Sequence, residues 1–188
     1  MLIAIHQPNF MPWYPFFQKM AAVDTFVILG HCQFEKNNYQ NRFHMNDLWN
    51  TMSVNGGSHE RIVDKRYVSH QQDWTKIKKR LFQYNPARFD QYIGDNLFRT
   101  NVGIIREIST ILGIRCEILE DKPTDSMGTG RIIEICKSLN ATDYLSGTGA
   151  AKYIEEHSFA DNGIRLHLQD PDSMVKVPIL EFLKEKGV

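Results

Sequence analysis

The chain opens on the apolar run Leu2-Ile3-Ala4-Ile5, turns through His6-Gln7-Pro8-Asn9, passes Pro12-Trp13, and becomes apolar again from Phe16 to Ala22 and from Thr25 to Leu29. Short apolar runs bounded by turn residues predict strands at Leu2 to Ile5 and Thr25 to Leu29, with a helix over Pro15 to Ala22 between them. Two strands joined by a helical crossover pair in parallel, and this commits the chain to an α/β fold. In open α/β sheets ligands bind beyond the carboxyl ends of the strands, where the next helix offers free amide N–H groups to an anion. His6, Gln7, Asn9 and Trp13 fall at such an end and are candidate site residues. A purely structural strand–turn–helix is the alternative.

Downstream, a polar, amide-rich stretch from Gly30 to Asn46 reads as a loop, and Leu48 to Val54 as a strand before the turn at Asn55-Gly56-Gly57. The middle is helical. Asp73 is the expected N-cap of a helix with Trp74, Ile77 and Leu81 on its apolar face and Lys76, Lys78, Lys79 and Arg80 on its wet face. A second helix is expected near Arg88 to Phe98, and a third from Asn101 through Val102, Ile105, Ile108 and Leu112 to the stop at Gly113. The tail returns to alternation, with strands at Arg115 to Leu119, Asp143 to Leu145 and Ile164 to Leu168, and helices at Thr129 to Leu139 and Gly147 to Glu156. The expected architecture is a Rossmann-like, open, mainly parallel sheet with flanking helices, one α/β domain over residues 1–188 carrying a helical lobe at 72–113.

Twenty-two basic and 22 acidic residues cancel, so no global field draws the chain to nucleic acid or membrane, although a local basic patch could. Cys32, Cys116 and Cys136 show neither paired nor zinc-finger spacing, which points to a reducing compartment. No basic segment followed by an apolar core opens the chain, and no apolar run reaches the roughly 20 residues of a membrane span. A soluble, cytoplasmic protein without membrane partners is expected.

Three clusters carry candidate chemistry. In the first, a neutral His6 imidazole suits a general base, and the Gln7 and Asn9 amides suit a base edge, a sugar hydroxyl or a carboxylate. The second, Gln33-Phe34-Glu35-Lys36-Asn37-Asn38-Tyr39-Gln40-Asn41-Arg42, mixes amides with aromatic rings and cations. Arg42 can grip a phosphate in bidentate fashion and Lys36 can neutralise another oxygen. A solvated surface loop is the alternative. In the third, Tyr144-Leu145-Ser146-Gly147-Thr148-Gly149, a strand ends in a small-residue turn. Gly147 lets backbone approach a ligand there, and Ser146, Thr148 and helix amides can hold phosphate oxygens. Two helix N-termini facing one crevice would suit a diphosphate. No carboxylate cluster calls for a metal, Asp24 and Glu35 being the nearest acids, and no cofactor is expected.

His6-Gln7-Pro8-Asn9-Phe10 with Pro12-Trp13, Gln33-Phe34 with Lys36 and Gln40-Asn41-Arg42, and Tyr144-Leu145-Ser146-Gly147 together resemble the WbqC-like protein family, in order and spacing, from Leu2 to about Leu168. The segment Gln169 to Val188 is shorter than the tail associated with bacterial members. The family is associated with bacterial surface-polysaccharide clusters, and similar sequences accompany phage genes that hypermodify thymidine-derived bases. The resemblance implies a transferase that attaches an amino acid or related amine to an activated acceptor. In the phage setting the acceptor is a 5-(phospho- or pyrophospho-)methyl deoxyuridine in double-stranded DNA, the amine is expected to be glycine, and the compartment is the host cytoplasm. On this reading Arg42, Lys36, Ser146 and Thr148 serve the leaving group and His6 takes the amine's proton. Gln7, Asn9, Asn38 and Asn41 place the base or carboxylate, and Trp13, Phe34 and Tyr39 receive a flipped base. Lys76, Lys78, Lys79 and Arg80 would meet the DNA backbone, a solvated helix face being the alternative. Other readings are an amine transferase acting on a nucleotide-activated sugar and a non-catalytic nucleotide- or DNA-binding module. The opening also bears a remote resemblance to nucleotidylyltransferases with a His-x-Gly-His signature. That signature is absent here, since Trp13-Tyr14-Pro15-Phe16 stands in its place.

Overall fold

A computed structural model of the chain describes residues 1–57, 59–150 and 154–188. Its strands are β1 (Leu2–His6), β2 (Thr25–Ile28), β3 (Arg42–Met45), β4 (Leu48–Thr51), β5 (Glu117–Glu120), β6 (Asp143–Ser146) and β7 (Arg165–Leu168). Its α-helices are α1 (Tyr14–Ala21), α2 (His70–Arg80), α3 (Leu97–Ile111), α4 (Gly128–Ser138), α5 (Glu156–Asp161) and α6 (Ile179–Glu185). Among the described residues no helix is long and apolar enough to cross a membrane.

Five strands form a parallel sheet in the order β5-β2-β1-β6-β7, with Ile3 opposite Thr25 on one side and Tyr144 on the other. The side chains follow the period of two. Ile3, Ile5 and Val27 pack with Ile133 and Cys136 of α4 and Phe159 of α5. Ala4, Phe26 and Ile28 face the other way, onto Phe16, Phe17 and Met20 of α1, Ile104 and Ile105 of α3, and Leu180 and Leu183 of α6. Helices on both faces of a parallel sheet make this the α/β, Rossmann-like arrangement the opening residues demand. From β1 the chain first builds outward through β2 and β5, then crosses back to add β6 and β7 on the opposite side. The order therefore reverses between β1 and β6.

Several boundaries differ from the sequence reading for identifiable reasons. Helix α2 starts at His70, because the Asp73 carboxylate does not cap it and instead accepts the Ser53 N–H at 2.8 Å. The helix expected near Arg88 is a 3₁₀ stretch, Pro86–Tyr92, and α3 begins at Leu97, where Asn96 caps it by accepting the Arg99 N–H at 2.8 Å. The polar stretch after Gly30 contains strand β3, paired antiparallel with β4 through a turn in which Asn46 and Asp47 both take positive φ, 53° and 58°. That is the backbone a tight hairpin turn requires and these residue types tolerate. Of the helix expected from Gly147 to Glu156, the described residues form a 3₁₀ turn, Thr148–Ala150, and the first residue of α5. Residues 151–153 of that expectation lie outside the described residues, and α5 starts at Glu156.

Candidate functional site

A crevice of about 350 Å³ opens at the carboxyl ends of β1 and β6, where the strand order reverses. Its walls are His6, Gln7 and Asn9 after β1, Trp13, Pro15, Phe16 and Lys19 on and before α1, Asn38 and Tyr39, Gly147 to Gly149 after β6, and Gln169 and Met174 from the tail. This switch point is where doubly wound sheets bind ligands, because the connections on its two sides leave in opposite directions and part the loops. The first and third sequence clusters thus meet, with Asn38 and Tyr39 from the second.

Lys19 is the residue the sequence reading overlooked. It sits on the inner face of α1, only 2 % exposed, and its Nζ donates to the Ile5 carbonyl at 3.3 Å. Beside it lies Gly147, where a Cβ would stand 3.8 Å from that nitrogen. No carboxylate lines the crevice among the described residues. Burial without a counter-ion lowers the Lys19 ammonium from 10.5 to about 7. The signal available in the sequence was a lone cation, beside Gln18, inside the mainly apolar run Phe16 to Ala22.

His6 packs edge-on against Phe16, ring centroids 4.9 Å apart, with Nδ1 2.9 Å from the Gln7 carbonyl. A ring nitrogen facing a carbonyl donates, so Nδ1 carries the proton and Nε2 keeps a lone pair. Burial first, and the nearby Lys19 charge second, lower the imidazole from 6.5 to about 3. The ring is half-buried in the crevice wall. His6 is neutral at pH 7, as expected, but a weaker base than a proton-abstracting role calls for.

Gln7 is fixed from behind. Its Oε1 accepts the Gln40 Nε2–H at 2.6 Å, and the Gln40 carbonyl accepts the Asn101 Nδ2–H at 2.7 Å. Asn101 also donates to the Pro8 carbonyl at 2.7 Å and accepts the Tyr67 hydroxyl at 2.9 Å. Gln40 and Asn101 are fully buried. This network ties the turn after β1 to the 30–42 loop and to α3.

Other expected site residues lie outside the crevice wall. Arg42 donates to the Asn37 carbonyl and stacks its guanidinium 4.0 Å from the Trp49 ring centre, while Lys36 is an exposed loop residue. Phe34 is a core residue at 2 % exposure and cannot receive a base. Asn41 donates to the Met52 carbonyl at 2.8 Å, buried Ser146 bonds the Gly147 carbonyl at 3.3 Å, and Gln33 pairs with Arg61 in a β-bridge. Asn38 reaches the crevice with its side-chain oxygen already accepting the Tyr39 N–H at 2.7 Å. The expected helix amides are also committed. Tyr14 donates to the Val177 carbonyl at 2.9 Å, Pro15 has no N–H, and Phe16 bonds the Trp13 carbonyl at 3.1 Å.

On α2, Lys78 pairs with Asp90 at 2.7 Å, Lys76 lies 3.8 Å from Asp73, and Arg80 donates to Asn50 at 3.0 Å. Among the described residues Lys78 is the one of these held closely by a carboxylate, since Lys76 is largely exposed and Arg80 bonds a neutral amide, and none of these cations lines the crevice. Among the described residues no cluster of His, Cys, Asp and Glu is placed to hold a metal.

The model of the WbqC-like protein family matches residues 7–179. The chain is 29 % identical over 192 aligned positions to the uncharacterized protein Rv1507c of Mycobacterium tuberculosis, covering 90 % of this chain and 82 % of that one. No solved structure matches it significantly.

Proposed function

This chain belongs to the WbqC-like protein family, and from that premise we propose that it is a transferase that joins an amine to a carbon activated by phosphate or diphosphate. The observation that carries this reading is the crevice at the sheet's switch point, lined by no acid among the described residues, with Lys19 buried in its wall. An unpaired buried cation is unfavourable unless an anion completes it, and a departing diphosphate is such an anion. The neutral amine nitrogen attacks the methylene carbon, the C–N bond forms as the C–O bond breaks, and the electron pair leaves on the diphosphate oxygen. The ammonium product then releases a proton to water. Lys19 and the Thr148 region stabilise charge on the leaving group, His6 Nε2 accepts a hydrogen bond that orients the amine, and Gln7 and Asn9 hold the acceptor ring or the amine's carboxylate.

The specific acceptor we favour is a 5-(phospho- or pyrophospho-)methyl deoxyuridine in phage DNA, with glycine as the amine. Duplex DNA bearing the phosphorylated base is incubated with protein and glycine, digested to nucleosides and weighed by mass spectrometry. The expected product carries one glycine in place of the phosphate. Unchanged nucleosides, with pyrophosphate still bound by the protein in calorimetry, would move the reaction to a nucleotide-activated amino sugar in polysaccharide synthesis.

A further inference from the structure

Beside the crevice runs a groove of about 460 Å³ whose walls include Trp13, Tyr39, His44, Trp49 and Lys176. Trp13 and Tyr39 line both cavities, so crevice and groove are contiguous. Three large aromatic side chains stand exposed here, Trp13 at 49 %, Tyr39 at 51 % and Trp49 at 42 %. Tyr39 and Trp49 approach to 5.6 Å between ring centres, and His44 meets Trp49 edge-on at 5.4 Å. Phe10 and Phe43, by contrast, turn inward from the same segments. The hairpin of β3 and β4 thus holds out Trp49, with Leu48 and His44 beside it, while burying Phe43 and Met45, an unfavourable arrangement for a free surface unless a ligand covers it.

Charge says which ligand. Neither the crevice nor the groove is lined by Asp or Glu among the described residues, although the chain has 22 acidic residues. Cations sit at both ends, Lys19 in the crevice and Lys176 in the groove, with the Arg42 guanidinium on Trp49. A neutral sugar would use the rings and waste the cations, and a free phosphate would do the reverse. A ring joined to an anion uses both. We infer that the groove is a base-stacking subsite, in which Trp49 and Tyr39 hold the nucleobase of a nucleotide whose phosphate enters the crevice. This rests on the crevice taking phosphate, as proposed above. The nucleotide can be one unit of a DNA strand or the carrier of an activated sugar, since both present a base beside its phosphate.

Of the three tryptophans Trp74 is buried, so Trp13 and Trp49 dominate any ligand-dependent change in fluorescence. The whole chain is titrated with thymidine monophosphate, tetrathymidylate and uridine diphosphate by tryptophan fluorescence, and with pyrophosphate by calorimetry. Trp49→Ala is expected to weaken nucleotide binding roughly 5- to 150-fold, the effect of losing one stacked aromatic, and to leave pyrophosphate affinity unchanged. Trp49→Phe keeps a ring and restores most of the affinity, which separates stacking from a folding defect. Tetrathymidylate binding tighter than thymidine monophosphate assigns the subsite to a DNA strand, and uridine diphosphate binding tightest assigns it to a sugar carrier. Nucleotides that bind no more tightly than pyrophosphate, with Trp49→Ala silent on both, overturn the base subsite and leave the crevice reading intact. Nucleotide binding that depends on Trp49 in a protein that ignores pyrophosphate keeps the subsite and overturns the crevice reading instead.

Discussion

On the proposed reading, Lys19 is where stability and function oppose each other. The unfolded chain holds the ammonium proton up to its ordinary value of 10.5, whereas the folded chain releases it near 7. Between those values the unfolded state binds more protons, so the unfolding free energy rises with pH across that window. The same displacement makes burial of Lys19 cost on the order of 4 kcal/mol at pH 7. Lys19→Met, which fills the same space without charge, should raise stability by about 1–3 kcal/mol at pH 7 while abolishing pyrophosphate binding. Urea unfolding of both proteins from pH 7 to 10 checks the first part, since the gap between them should narrow as pH rises. A wild type that gains nothing on Lys19 over that range would mean the amine stays charged in the fold. His6 works in the same direction at lower pH, because its folded value of about 3 lies below the unfolded 6.5. Its contribution is complete above 6.5 and is lost as pH falls toward 3, so His6→Gln should blunt acid unfolding in that interval, read as a smaller drop in melting temperature between pH 7 and 4.

At the level of elements, the turn after β1 holds its shape through Asn101, which sits far away in sequence on α3. Asn101→Leu strips hydrogen bonds from two buried carbonyls and the Tyr67 hydroxyl. The expected cost is about 2–5 kcal/mol in urea unfolding, with pyrophosphate binding weakened at temperatures where the variant remains folded. Gly30, two residues beyond β2, is constrained by space: a Cβ there would meet Phe98 Cε2 at 2.4 Å and Val63 Cγ1 at 2.5 Å. Gly30→Ala should therefore lose about 1–3 kcal/mol to overpacking, seen as a lower melting temperature. Such couplings explain what was legible in the sequence. Strands β1 and β2 and the helix between them are local patterns of apolar residues, and they announced both the fold and the crevice residues His6, Gln7 and Asn9. Strand β3 hid in a polar stretch because only Phe43 and Met45 of its four residues are buried, too short a run for alternation to register. Arg42 looked like a phosphate ligand because composition does not reveal that Asn37 and Trp49 already engage it. Lys19 was hidden for the converse reason, since one charge in an apolar helix says nothing of the cavity it faces until β1 and β6 are side by side.

Across the whole molecule, charge decides how nucleic acid could bind. With 22 acids balancing 22 bases, attraction to a polyanion has to come from a local set of cations. The candidates are the crevice and groove pair, Lys19 and Lys176, and the α2 set, Lys76, Lys78 and Lys79. They differ in what they are bonded to. Lys78 is held by Asp90 at 2.7 Å, so a phosphate must displace a carboxylate to reach it, and Asp73 lies 3.8 Å from Lys76. The first set has no acidic partner among the described residues. Each phosphate neutralised on a single strand contributes roughly −0.7 to the slope of log affinity against log salt. Tetrathymidylate held by the first set alone should give a slope of roughly −1.4, and replacing Lys76, Lys78 and Lys79 together with Ala should leave that slope unchanged. Fluorescence titrations between low and moderate salt measure both. A slope that becomes much shallower in the triple variant would place the strand on α2 and away from the aromatic groove. An unchanged slope would mean that the strand enters where the sheet reverses its order, held by rings on one side and by buried Lys19 on the other.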